Sequence, residues 1–209
     1  MVFRHRHFIN LHKITTPFVI SFLMLYYNNF TIGPCIYFGL HTGYCICWMM
    51  KELMYPDSSF QQEMGTVSFI LAYLVLSVYW IAPYMLISSG IIPHTLTILT
   101  SIPICLIGFL FHFGADSQKY FTLEVKKGLI TTGFFSRTRN PNYFGEMMIY
   151  IGWGILAESV IPLVVLLIVV LTLFFPRMLQ KDKSMSRYPE FKAYKERTNL
   201  LFPRIFPRI

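Results

Sequence analysis

The chain has 209 residues, 55% of them hydrophobic and only 13% charged, with a formal net charge of +8. An average soluble domain carries about 25% charged residues, so the composition excludes an ordinary soluble domain and points to an integral membrane protein. The positive charge does not indicate nucleic acid, because no stacking platform or base-reading motif accompanies it.

The start, Arg4-His5-Arg6-His7, lacks the long apolar region and small-residue cleavage site of a removed signal peptide. A membrane-spanning helix needs about 20 apolar residues at a rise of about 1.5 Å each. Residues 16–27 are short for this and are expected to borrow from their flanks or lie obliquely. Asn29-Phe30-Thr31 fits a glycosylation acceptor but sits too near the membrane to be used. Residues 32–50 are expected to span, with His41 their only candidate charge, and 67–87 and 91–113 span clearly. After Asn142 the chain is apolar to about Met178, broken by Glu146 and by Glu158-Ser159 before Pro162. This pattern reads as two helices and a tight turn, with Ser159 as N-cap and Pro162 in the first turn, where a missing N–H does little harm. The expected fold is all-α: a polytopic membrane bundle of about six transmembrane helices, with a cytosolic cofactor-binding loop and a short C-terminal helix.

The basic residues fall into three groups: Arg4, Arg6 and Lys13; Lys119, Lys126, Lys127, Arg137 and Arg139; and Arg177, Lys181, Lys183, Arg187, Lys192, Lys195 and Arg197. Six crossings put all three, together with 51–64, on one face, and basic loops tend to stay cytosolic. Loop 114–141 and the C-terminal tail are therefore expected in the cytosol, on the endoplasmic reticulum in a eukaryote, where the charge also attracts anionic membrane lipid. Cys35, Cys45, Cys47 and Cys105 lie in expected spans with no CxxC pair and no zinc-type histidine spacing, so they read as small buried side chains and no metal site is expected.

Polar groups inside membrane spans are costly and mark candidate sites. Glu146 follows Arg139-Asn140-Pro141-Asn142-Tyr143-Phe144-Gly145, where a proline fixes the chain just before a helix whose N-terminus suits an anionic ligand. The alternative is that Asn142 only caps this helix and Glu146 pairs with a cation. Upstream, Gly128 and Gly133 bracket a loop that lets a ligand approach the backbone, and Asp116, Gln118 and Lys119 continue the fourth helix towards it. Residues 188–197 read as a short helix with Phe191 and Tyr194 on one face, packing on the membrane surface or over a ligand.

The run GLITTGFFSRTRNPNYFGE (128–146), a helical hairpin and the tail RYPEFKAYKERTNLLFP resemble the C-terminal region of the steroid 5-alpha reductase-like membrane family, especially its DUF1295-type branch. The resemblance covers residues 111–203. It implies that Asp116, Asn142, Glu146 and the glycine loop with Gly133 contact NADPH, with Arg139, Tyr143 and Lys119 suited to its phosphates and rings. Sterol reductases and isoprenylcysteine carboxyl methyltransferases share the architecture. The latter carry an Arg-His-Pro sequence and a glutamate pair after the last span, where this chain has Asn140 and Gln180-Lys181-Asp182.

In the N-terminal half, Trp48-Met49-Met50-Lys51-Glu52 is similar to the reductase pattern Trp-x-x-Gln-Glu, with Lys51 in place of glutamine. The resemblance makes Glu52, helped by Tyr44, the group that polarises a substrate carbonyl; a Lys-Glu pair at a helix end is the structural alternative. Residues 1–110 are thus expected to form the substrate cavity and 111–209 the cofactor region. The expected activity is NADPH-dependent reduction of a carbon–carbon double bond in a steroid or other lipid-like small molecule. The alternatives are an S-adenosylmethionine-dependent membrane methyltransferase and a non-catalytic lipid-binding protein.

Overall fold

The computed structural model describes residues 2–205. A short strand β1 (Phe3–Arg4) leads into α1 (His5–Tyr26) and pairs antiparallel with β2 (Glu63–Met64), Phe3 opposite Met64 and Arg4 opposite Glu63. Between them runs α2 (Ile32–Met54). Helix α3 (Thr66–Ser77) continues through a 3₁₀ turn into α4 (Ile81–Ser88), and α5 (Thr95–Val125) follows. After the polar loop come α6 (Pro141–Leu156), α7 (Val160–Val169), a π-helical turn at Val170–Phe174, α8 (Phe175–Met185) and the short α9 (Phe191–Arg197).

The all-α bundle agrees with the hydropathy reading. Four helices are long and apolar enough to cross a membrane: His5–Tyr26, Thr66–Ser88, Thr95–Val125 and Val160–Met185. Six crossings were expected, and the two stretches outside this set are α2 and α6. Helix α2 carries His41, Lys51 and Glu52, and α6 has 16 residues and carries Glu146. The first apolar stretch is longer than its hydropathy suggests, because His12, Lys13 and Thr16 turn inward and let α1 begin at His5. Outward-facing Phe18, Phe22, Leu71, Val75, Leu96, Leu99, Leu167 and Leu171 are exposed, as an acyl-chain environment requires.

Helices α5 and α6 touch almost backbone to backbone. A Cβ on Gly108 would meet the Gly145 carbonyl at 2.8 Å, and one on Gly145 would strike the His112 backbone. Small residues permit this approach where lipid supplies no hydrophobic drive between helices. At the opposite end of α5, the Glu158 carboxylate accepts from the His94 N–H at 2.7 Å and the Thr97 hydroxyl at 2.8 Å, tying the α6–α7 turn to the start of α5. The His94 N–H holds the Glu158 carboxyl below its ordinary range. Ser159 caps α7 by accepting from the Ile161 N–H, as its sequence position predicts.

The other end of the bundle, where α5 finishes, is polar. The β1–β2 pair, the 55–64 segment, the 126–140 loop and the tail all gather there, linked by Lys119–Asp57 and by the Thr138–Asn199 bridge.

Candidate functional site

Helical spacing places Tyr44, Trp48 and Lys51 on one face of α2, and His112, Asp116 and Lys119 on one face of α5. The two faces meet. The Lys51 ammonium donates to Asp116 Oδ2 at 2.5 Å, with both side chains buried, and also lies 4.6 Å from the Trp48 ring centre. From α1, Lys13 enters the same interior, its ammonium 4.5 Å from the Tyr44 ring centre and 5.5 Å from that of Trp48. Trp48 Nε1–H donates to Asn10 at 2.9 Å, which fixes the indole under that ammonium. His112 Nδ1 lies 3.2 Å from the Asn142 carbonyl, an acceptor, so Nδ1 carries the proton. Glu146, one turn after Asn142, faces Tyr150 at 3.5 Å, and Tyr150 stacks on Tyr79 with centres 4.0 Å apart.

Glu52 is displaced about 100° around α2 from Lys51. One of its carboxylate oxygens is buried without a hydrogen-bond partner, so the residue that completes the α2–α5 contact is Lys51.

Around the mouth of this interior, Lys119 donates to Asp57 at 3.1 Å. Burial works against an ionised Asp57, but the Lys119 ammonium and the Ser59 N–H outweigh it and hold the carboxyl well below its ordinary range. Lys181 of α8 lies 4.5 Å from the Tyr143 ring centre, and the Arg177 side chain lies beside the Tyr143 hydroxyl. Lys181 lies within electrostatic reach of Lys119, Asp116, Asp57 and Glu146. Gly133 has φ +59°, a conformation that favours glycine. The Gln118 amide clamps the loop around it, donating to Thr132 O and accepting from the Phe134 N–H, each at 2.9 Å. Phe111, Gln118, Gly133, Phe134, Arg137 and Pro203 line an open, mainly apolar cleft of about 440 Å³ beside it.

Arg139 has a different setting from its expected phosphate contact. Its Nε–H reaches both Asp182 carboxylate oxygens at 2.9 and 3.1 Å, and Nη1 donates to the Thr198 carbonyl at 2.8 Å, all within a buried network. Asn140 donates to Leu200 O at 2.9 Å and Tyr194 to Phe135 O at 2.8 Å, so the motif fastens the tail to the loop. Burial pushes the Tyr194 phenol up to about 12. Phe191 and Tyr194 are both buried, as their shared helix face predicts. The N-cap of α6 is Asn140 with Pro141 at the first position, which leaves Asn142 within the first turn.

Of the residues singled out in the sequence, Tyr44, Asp116, Asn142 and Glu146 converge on the interior, Lys119 and Tyr143 line its mouth, and Gly133 shapes the adjacent loop. Lys13, His112 and Lys181 were missed. Lys13 reads as a topology signal in a basic N-terminus. Lys181 carries a usable clue, since it lies one turn after Arg177.

Fold and site together define a helical membrane protein whose N-terminal helices meet a polar α5–α6 core. The model of the family described as "Protein of unknown function (DUF1295)" matches residues 55–198, and the chain belongs to this family, which is steroid 5-alpha reductase-like. The chain is also similar to a nickel-cobalt-cadmium resistance protein, NccN, of Alcaligenes xylosoxydans xylosoxydans. The two are 37% identical over 79 residues, a segment that covers 37% of each chain. Among the described residues, no group of three or more His, Cys, Asp or Glu side chains is placed to hold a metal ion.

Proposed function

We propose that this protein is a membrane-bound reductase that takes NADPH at the mouth between α5, α6 and α8 and reduces a carbon–carbon double bond in a hydrophobic, lipid-like substrate. The observation that carries this reading is the convergence of Arg177 and Lys181 on Tyr143, with Lys119 near Lys181, beside Asp116 of α5 and the first turns of α6 at Asn142 and Glu146. Three cations and a helix N-terminus suit a polyphosphate. The carboxylates of Asp116 and Glu146 suit the hydroxyl and amide donors of a nucleotide, and the Tyr143 ring offers a stacking face. Bound there, NADPH would supply a hydride.

The chain's own residues do the rest. Lys119, Lys181 and Arg177 bind and orient the phosphates, and the basic loops keep this mouth at the cytosolic face. The interior excludes water, which strengthens every charge interaction within it. Tyr44 supports the substrate half of the reading, because its buried hydroxyl has no partner and is free to donate to a substrate oxygen. Glu52 points off that face and is the weaker of the two candidates for that contact.

The test is thermal unfolding of the purified protein in detergent with NADPH, NADH or S-adenosylmethionine. A ligand held only by the folded state stabilises it by about 2.7 kcal/mol at a hundredfold excess over Kd. NADPH is expected to raise Tm most. Selective stabilisation by S-adenosylmethionine would replace this reading with a membrane methyltransferase.

A further inference from the structure

Helix α5 outruns the bilayer. Its 31 residues extend about 46 Å at the helical rise, against about 30 Å of hydrocarbon. Measured from Thr95, beside the polar Glu158–His94 tie, Phe111 lies about 24 Å along the axis and Gln118 about 34 Å. The open cleft of about 440 Å³ that both residues line therefore straddles the boundary between acyl chains and headgroups. It lies on a different side of α5 from the proposed nucleotide mouth. By helical spacing Phe111 and Gln118 share a stripe with Ile107, displaced by about 100° from the stripe of His112, Asp116 and Lys119. Ile107 is 44% exposed on the outer surface, so the cleft continues an acyl-contacting stripe towards the polar end.

The wall of the cleft is held in shape. The Phe134 ring lies on Gly114, where an added Cβ would meet it at 2.5 Å, and packs edge-on to Phe111 with centres 5.6 Å apart. The Gln118 amide is engaged by the loop on both sides of Gly133, so the polar lining group left to a ligand is Arg137. Arg137 Nη1 donates to the Arg204 and Ile205 carbonyls at 3.3 Å each, whereas Nε and Nη2 have no hydrogen-bond partner among the described residues. The Arg204 N–H donates to the Arg137 carbonyl at 3.0 Å and brings a second arginine alongside. Neither arginine belongs to an ion pair among the described residues.

We infer that this cleft is a binding site for one anionic phospholipid, its phosphate held by Arg137 and one acyl chain laid over Phe111 and Phe134. The guanidinium fork of Nε–H and Nη2–H takes two phosphate oxygens side by side. A zwitterionic headgroup offers the same phosphate but brings its own cation next to two arginines, so a net negative headgroup is preferred. A free phosphate would leave the apolar wall uncovered. The inference requires no nucleotide and rests on no part of the reductase reading.

The experiment is equilibrium binding to the full chain in a nonionic detergent at about 0.15 M salt, which screens attraction between exposed charges beyond about 8 Å. The probes are phosphatidylglycerol, phosphatidylcholine with the same acyl chains, and glycerol phosphate. The wild type is expected to bind phosphatidylglycerol at least about tenfold more tightly than either of the others, the size of one charge-assisted hydrogen bond. Arg137→Gln should abolish the preference between the two lipids, while Lys192→Gln, at an exposed position on α9, should keep it. Phe111→Trp, which crowds the cleft, should weaken both lipids. Equal binding of the two lipids by the wild type, or a preference that survives Arg137→Gln, would overturn the proposal. So would a preference that Lys192→Gln reduces as much as Arg137→Gln, which would mean a diffuse basic surface. Glycerol phosphate bound as tightly as phosphatidylglycerol, or lipid affinity undiminished in Phe111→Trp, would remove the acyl chain from the cleft and overturn it as well.

Discussion

Asp116→Leu is expected to destabilise the folded protein by about 3–5 kcal/mol, because it leaves the Lys51 ammonium buried with no counter-ion. Lys51→Met in the same chain should recover most of the loss, because replacing a whole buried pair by apolar side chains is commonly neutral or stabilising. Unfolding of the wild type, the single variant and the double variant in mixed detergent measures both steps. A double variant no more stable than Asp116→Leu would mean that Asp116 stabilises the bundle by something other than its bond to Lys51.

The second large effect is expected at Arg139. Arg139→Met removes the contact to both Asp182 oxygens and the bond to the Thr198 carbonyl, and strands a buried carboxylate. The expected cost is again about 3–5 kcal/mol, but it falls on one region. The tail is held to the loop by Arg139, by Asn140 to Leu200 and by the Arg139 N–H to Asn199 O at 3.0 Å. Protease cleavage after residue 186 should therefore accelerate sharply while the membrane helices stay folded. A tail as protected as in the wild type would show that Arg139 is free for a ligand after all.

Much of the fold is legible in the sequence because bilayer length and helical period are local properties. Val67 to Ile87 and the stretch after Ser159 needed no tertiary information, and Ser159 and Pro162 mark their helix start by backbone chemistry alone. Hydropathy fails where polar residues turn inward. Lys13 shortened the apparent first span, although it lies in the interior against Tyr44 and Trp48. The same reason separates α2 from the apolar spans, since its polar residues face the protein.

The site was half legible. The helix mouth at Asn142 and Glu146 and the prolongation of α5 through Asp116 and Lys119 follow from spacing. The partners do not: Lys51 meets Asp116 across 65 positions, and Arg139 meets Asp182 across 43. Only packing brings these together. The Arg139 motif suggested a phosphate contact because an arginine before a helix N-terminus resembles one whenever its carboxylate partner is distant in sequence.

The central claim is that the mouth lined by Lys119, Lys181 and Tyr143, with Glu146 just inside it, binds NADPH. Direct titration of the purified wild type, Lys181→Glu and Glu146→Gln with NADPH and NADH tests it. The wild type should bind NADPH more tightly than NADH. Lys181→Glu should lose at least about tenfold in NADPH affinity, by reversing a charge beside the phosphates, and Glu146→Gln should weaken both nucleotides with the fold intact. A wild type that binds neither nucleotide, or a folded Lys181→Glu variant with undiminished NADPH affinity, would contradict it.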